Sequence, residues 1–313
     1  MRAITVSKYG ASPAVTELPR PQPGPGQVLI AVQAAGMNPM DMQIADGSWK
    51  DRMPATCPMV LGADLAGAVE EAGPGASRFA LGDELFGQLL IPPLGSAGTY
   101  AEYVAVSEDA PLARMPAGLD PITAAALPTA GGTAAAIAES LAPLDGKTVL
   151  IVGAAGGVGS FLTQFGAHAG AHIDASAAAD QAGRVKGYGA AETIDPAATP
   201  LPDAIARAHP NGIDVLIDLA SDAGPFAALA RHVRPGGTAI TTRYVADREA
   251  LAAAGVAGVN FQLPMTVSLL DRLAAAVVAG TIMPPPIIRI SLDEVPDLVS
   301  RHGHAEGKTV ITM

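Results

Sequence analysis

Residues 147–160 read Lys-Thr-Val-Leu-Ile-Val-Gly-Ala-Ala-Gly-Gly-Val-Gly-Ser, an apolar β-branched run that breaks into a glycine turn and then enters a helical stretch. The run at 149–152 suits a strand buried on both faces, as in a parallel sheet. Gly156, Gly157 and Gly159 let the backbone approach a ligand closely, and the helix that follows offers N-terminal amides to negative charge. The segment therefore predicts a phosphate cradle for a dinucleotide, formed by Ala155, Gly156, Gly157, Val158 and Gly159. Ala154 replaces the first glycine of the usual G-x-G-x-x-G pattern, so the bare pattern is weak. The context strengthens it: a strand precedes the turn, a helix is expected over 159–169, and a second apolar stretch at 171–175 completes a βαβ unit.

The chain's 313 residues exceed the usual size of one domain, so two domains are expected. Aromatics make up only 4% while Gly and Pro number 35 and 27, so packing must rely on small side chains and close backbone approach. That composition favours layered α/β structure. A net charge of −11 argues against nucleic-acid or membrane-surface affinity, since both need clustered cations.

Cys57 is the single cysteine, which excludes an intramolecular disulfide and a Cys-rich zinc site. The histidines are His168, His172, His209, His232, His302 and His304; none forms an H-E-x-x-H pair, and His302 and His304 read as surface residues near a glycine turn. The start of the chain has no apolar signal core, and no apolar stretch reaches the roughly 20 residues that span a bilayer. The expectation is a soluble cytoplasmic protein with a small-molecule substrate and neither nucleic-acid nor membrane partners.

Up to about residue 119 the sequence shows short alternating segments at 3–6, 27–35, 65–71, 84–90 and 99–106, punctuated by proline and glycine. This pattern predicts an antiparallel, barrel-like domain. After Pro121, helical alanine-rich segments such as 226–233 alternate with apolar runs at 149–152, 172–175, 192–194, 215–219, 238–241 and 258–261, as in a doubly wound parallel sheet. A helix at 269–279, a strand at 287–290, a helix near 293–300 and a strand at 308–312 follow. The expected division is residues 1–120, completed by 265–313, and residues 121–264.

With these elements in order, the sequence resembles the medium-chain dehydrogenase/reductase superfamily in its zinc-independent quinone oxidoreductase branch. The resemblance covers nearly the whole chain. It rests on Gly36-Met-Asn-Pro-Met-Asp41, Leu61-Gly-Ala-Asp-Leu-Ala-Gly67, Val69-Glu-Glu-Ala-Gly-Pro-Gly75, Gly82-Asp83, Gly98-Thr-Tyr-Ala-Glu-Tyr-Val104, Gly153-Ala-Ala-Gly-Gly-Val-Gly159, Tyr188-Gly-Ala190 and Gly307-Lys-Thr-Val310. It implies a GroES-like β-barrel-type substrate domain, a Rossmann domain, and NAD(P)H giving hydride to a carbonyl or activated alkene. Zinc members place a ligand Cys where this chain has Asn38, and a His-Glu pair where it has Ala63-Asp64. An amide and a methyl group are not replacements, so no catalytic metal is expected.

By the same resemblance Asn38 and Asp41 are the candidate catalytic residues: Asn38 lies beside the nicotinamide, where its amide orients the ring or hydrogen-bonds an acceptor oxygen, and Asp41 either contacts the reacting groups or braces the loop. The plain reading is that both cap the turn after the preceding strand. Thr129 and Thr133 flank Gly131-Gly132, where a hydroxyl either reaches the cofactor or caps a helix. Arg243 and Tyr244 follow the fifth strand of the cofactor domain, and Asn260 and Phe261 follow the sixth, near where the family holds the cofactor. Trp49 reads either as pocket lining or as ordinary packing.

The position that separates NADPH from NADH aligns with Ser176, whose neutral hydroxyl admits and donates to a 2′-phosphate. NADPH is therefore expected over NADH, with Arg184 and Lys186 farther along the helix; Asp174, if it met the ribose instead, would reverse the preference. The expected function is zinc-independent, NADPH-dependent hydride transfer to a quinone or other α,β-unsaturated carbonyl. Enoyl-thioester reduction is the nearest alternative, and a non-catalytic NADPH-binding sensor is a third. The resemblance also implies a homodimer joined edge to edge near residues 258–261.

Overall fold

The structure is a computed structural model that describes residues 1–300 and 307–313. His302 and His304 lie outside the described residues. The chain forms two compact units, Met1–Gly132 with Met265–Met313, and Thr133–Pro264.

The first unit opens with β1 (Arg2–Val6), β2 (Ala14–Glu17), β3 (Gln27–Gly36), α1 (Pro39–Asp46), β4 (Met59–Val60), β5 (Asp64–Ala72), β6 (Glu84–Gln88), β7 (Tyr103–Ser107) and β8 (Leu112–Arg114). β1 lies between antiparallel β2 and β4. β3 pairs antiparallel with β5 and β7, β5 with β6, and β6 with β8, so the alternating segments do form an antiparallel system. The run expected at 99–106 is strand only from Tyr103. Ahead of it, the amides of Thr99 and Tyr100 bond across to the carbonyls of Gly62 and Leu61, and the Tyr100 carbonyl accepts from Ile4.

α2 (Pro121–Ala126) begins at Asp120, whose carboxylate accepts from the amides of Ile122 and Thr123. It lies against the end of β3. There Gly36 is obligatory, because a Cβ would run into the Ala125 carbonyl oxygen. α3 (Pro128–Ser140) then carries the chain into the second unit.

The second unit alternates β9 (Thr148–Val152), α4 (Gly157–His168), β10 (His172–Ser176), α5 (Ala182–Gly187), β11 (Glu192–Ile194), α6 (Leu201–Ala208), β12 (Ile213–Asp218), α7 (Ala223–Ala230), β13 (Val233–Thr241), α8 (Arg248–Ala253) and β14 (Ala257–Asn260). All the pairings are parallel, in the order β11-β10-β9-β12-β13-β14. This is the doubly wound Rossmann order. The order reverses between β9 and β12, the point outside whose strand ends such sheets bind ligands. β12 is buried throughout, its apolar Val215, Leu216 and Ile217 at the centre, as in a sheet covered on both faces. The helix expected over 226–233 ends at Ala230; Val233, buried and β-branched, opens β13 opposite Ile213.

α9 (Val267–Val278), β15 (Ile287–Ser291), a 3₁₀ turn Leu292–Glu294, α10 (Val295–Ser300) and β16 (Lys308–Thr312) return to the first unit. β16 pairs antiparallel with β3 and parallel with β15. Leu292, Val295 and Ile311 join the core formed by Ile4, Val28, Ile30 and Leu65. Among the described residues, no helix is long and apolar enough to cross a membrane.

Candidate active site

In the first unit, the Gly36-Met-Asn-Pro-Met-Asp turn meets the start of β5 and the start of β16, and five polar side chains converge. Asn38 is the N-cap of α1, yet its side chain does not cap the helix. Its amide nitrogen instead donates to Asp64 Oδ2 at 2.9 Å and to the Gly36 carbonyl at 3.3 Å, while its Oδ1 accepts from Lys308 Nζ at 2.5 Å. Asp64 is fully buried. It accepts from the Thr129 hydroxyl at 2.6 Å, from the Thr129 amide at 3.1 and 3.2 Å, and from Lys308 Nζ at 3.4 Å. A buried carboxylate needs such compensation, and the N-terminus of α3 adds a favourable dipole. Gln88 completes the set by donating to Thr129 Oγ1 at 2.7 Å.

Asp41 answers the capping role that Asn38 declines. Its Oδ2 accepts from the Asn38 amide at 2.8 Å and from the Tyr100 hydroxyl at 2.5 Å. Burial pushes its pKa up to about 7, against the opposing effects of the Tyr100 and Asn38 hydrogen bonds and the Lys308 charge. The Tyr100 hydroxyl is likewise held well above its ordinary range by burial and by the adjacent carboxyl. Asp41 Oδ1 is buried without a hydrogen-bond partner among the described residues. Its contacts are those of a brace joining the turn to the Tyr100 segment. Trp49 packs against the same core, its Nε1 donating to Gln43 Oε1 at 3.2 Å.

In the second unit the glycine turn lies where β9 ends and α4 begins. Gly153 has φ +81° and Gly156 is the N-cap. A Cβ on Gly159 would collide with the Gly153 carbonyl oxygen, so this glycine sets the close approach of helix to strand. A Cβ on Gly156 would meet nothing nearer than Gly153 O at 3.4 Å, and the residue is exposed, which leaves the turn open to a ligand. The amides of Gly157, Val158 and Gly159 form the first helical turn, which has no acceptors of its own. Ala154, standing at the pattern's first glycine, is buried and donates its amide to the Ser176 carbonyl at 3.1 Å, tying this turn to β10.

Ser176 is the last residue of β10. Asp174 precedes it by one pleat and is engaged elsewhere, 2.6 Å from His209 Nε2. Arg184 reaches the Ala155 carbonyl at 3.5 Å, at the limit of a hydrogen bond, and its buried Nε has no partner among the described residues. This donor set suits a pyrophosphate and its neighbouring anions. Arg243 pairs with Asp222 at 2.8 Å. Tyr244 next to it has φ +61°, the one positive value outside glycine among the described residues. Asn260 holds that loop, accepting from the Ala246 amide at 2.9 Å and donating to its carbonyl at 3.1 Å. The Phe261 amide bonds to Thr241 O at 2.8 Å, and Thr133 is buried farther along α3.

Asp64 is weighed in the sequence only as a leftover zinc ligand, and Lys308 and Gln88 carry no expected role there. The available signal for Lys308 is a lone cation opening a strand whose other residues, Thr-Val-Ile-Thr, are all β-branched.

The model for the Alcohol dehydrogenase GroES-like domain matches residues 24–117. A chloroplastic quinone-oxidoreductase homolog of Spinacia oleracea is 34% identical over 204 residues, which span 62% of this chain and 61% of that protein. The chloroplast envelope quinone oxidoreductase homolog of Arabidopsis thaliana is 31% identical over 251 residues, 77% of this chain and 74% of that protein. The structure of the quinone oxidoreductase from Coxiella burnetii superposes with a TM-score of 0.89 at 26% identity, covering 100% of this chain and 99% of that one.

Proposed function

The chain belongs to the quinone oxidoreductase-like branch of the medium-chain dehydrogenase/reductase superfamily, and from that membership we propose that it uses NADPH to reduce quinones or other α,β-unsaturated carbonyls without a catalytic zinc. It is an oxidoreductase with a Rossmann unit suited to a nicotinamide cofactor.

The observation that carries the zinc-free reading is the Lys308 ammonium. At the family's metal position the chain offers an amide, a methyl group and one carboxylate, and that carboxylate already receives an ammonium, a hydroxyl, a carboxamide and a backbone amide. A divalent ion would have to displace all of them. Lys308 supplies the compensating positive charge instead.

When bound, the nicotinamide supplies the hydride. The chain's own residues bind and orient it in this reading. The amides of Ala155, Gly157, Val158 and Gly159 hold the pyrophosphate, while the Gly156 amide, expected among them, closes the turn on the Gly153 carbonyl at 3.1 Å, and the Arg184 guanidinium meets the adjacent anionic charge. Ser176 donates to the 2′-phosphate, while the engagement of Asp174 by His209 keeps that carboxylate from the ribose and favours NADPH. Asn38, its amide plane fixed by Lys308 and Asp64, orients the ring; Thr133, Arg243, Asn260 and Phe261 line the remaining cofactor path. Asp41 and Thr129 brace these groups. β14, the edge of the parallel sheet, is the surface through which two copies pair, and light scattering at twice the chain mass is the expected result.

Steady-state oxidation of NADPH and NADH across quinones, enones and enoyl thioesters tests the reading. Turnover of quinones or enones that prefers NADPH and survives EDTA supports it. Activity abolished by EDTA and restored by zinc rejects the metal-free chemistry, activity confined to enoyl thioesters rejects the substrate class, and tight NADPH binding with no acceptor reduced rejects catalysis.

A further inference from the structure

His172 and Asp174 occupy alternate positions of β10, so their side chains leave the same face of the sheet. α6 ends beside that face. Its buried Ile205 anchors the helix, and the Ile205 carbonyl accepts from the His209 amide at 2.8 Å, which fixes the C-cap residue His209 over the strand. The two imidazoles then approach one carboxylate from different sides. His209 Nε2 lies 2.6 Å from Asp174 Oδ2, and His172 Nε2 lies 3.5 Å from Asp174 Oδ1. The rings stand edge to face, with centroids 6.1 Å apart.

Asp174 is 2% exposed, and among the described residues its carboxylate finds partners only in these two histidines. One donor atom from each residue lies within 4.8 Å of the other two, and no other group of three such side chains converges this way among the described residues. Bonds of about 2.0–2.2 Å to a tetrahedral ion place donors roughly 3.3 Å apart. His172 Nε2, 3.5 Å from Asp174 Oδ1, stands close to that spacing, and His209 Nε2, now 2.6 Å from Asp174 Oδ2, draws back as the ion replaces their direct contact. Two imidazole nitrogens and a carboxylate form a set suited to zinc and its first-row neighbours, poorly suited to calcium or magnesium.

We propose that His172, Asp174 and His209 bind one zinc-class divalent ion, which fastens the end of α6 to β10 and leaves a fourth position to water. The site lies wholly within the second unit and takes no part in the proposed hydride transfer. Zinc found in the purified protein is therefore assigned here and not to Asp64.

Titration of the full-length protein with zinc chloride, followed by calorimetry in a non-coordinating buffer, tests the site, with cobalt(II) absorption reporting the ligand field. One ion per chain is expected, with affinity falling at least about tenfold in His172→Gln and in His209→Gln and unchanged in His168→Gln. Zinc should raise the melting temperature of the wild type and leave that of His172→Gln unmoved. His172 is exposed, so its variant folds whatever becomes of the buried positions. Absence of stoichiometric uptake, or uptake as tight in both variants as in the wild type, overturns the proposal.

Discussion

Lys308 holds its ammonium 3.4 Å from the carboxylate of Asp64, with neither side chain more than 4% exposed. The pair joins the first strand position after the glycine of Gly307-Lys-Thr-Val to the start of β5, and Asn38 sits against both partners. Removing one member strands a buried charge. Lys308→Met should cost about 3–5 kcal/mol in urea unfolding. Adding Asp64→Asn to Lys308→Met should recover much of the loss; a double variant no more stable than the single one would contradict the pairing.

Asp41 predicts a pH dependence with a definite sign. Its carboxyl rises from 3.8 to about 7 on folding, chiefly through burial, so the folded chain holds this proton more tightly than the unfolded chain. The stabilisation is complete below about pH 4 and is lost as pH climbs to about 7, on the order of 4 kcal/mol in all. Asp41→Asn removes the titrating group, so its urea midpoint should fall less than the wild type's between pH 4 and 7. Tyr100→Phe deletes a donor to the anion and should steepen the wild-type decline.

Gly159→Ala sets a methyl group against the Gly153 carbonyl oxygen. Helix and strand must separate, which should cost roughly 1–3 kcal/mol of stability and weaken NADPH binding at least about tenfold. Thermal melting and calorimetry check the two effects separately.

Ser176→Asp places a carboxylate at the end of β10, where it repels a 2′-phosphate and accepts from ribose hydroxyls. The ratio of kcat/KM for NADPH to that for NADH should fall at least about tenfold. Arg184→Ala should weaken NADPH binding with little effect on melting, since the guanidinium's hydrogen bond to the Ala155 carbonyl is long, at 3.5 Å.

Much of this was legible in the sequence because both units are built from strong periodic signals. The β-branched run before Gly153 and the closing strand at 308–312 emerge where the pattern places them. Short elements were harder. α1 and α2, of eight and six residues, are too brief to show a helical stripe, and β4 has only two residues. Candidate residues near the turns stood out by type, whereas their partners did not. Asn38 was conspicuous beside Pro39, but its partner Lys308 is 270 positions away, and no local pattern foretells such a pairing. The Asp174 carboxylate could be placed on its strand from sequence; that His209 draws it aside depends on where α6 ends.

The hydrogen bonds between β16 and β3 also govern the order of assembly on the ribosome. Unit Thr133–Pro264 is contiguous and can complete its sheet as soon as it emerges. The lobe begun first must wait, with β3 lacking a neighbour and the Asp64 carboxylate lacking its ammonium, until the last strand is synthesised. Truncation before Lys308 should thus yield a nascent chain in which residues 133–264 resist protease while the first-unit segments before and after them in sequence are digested.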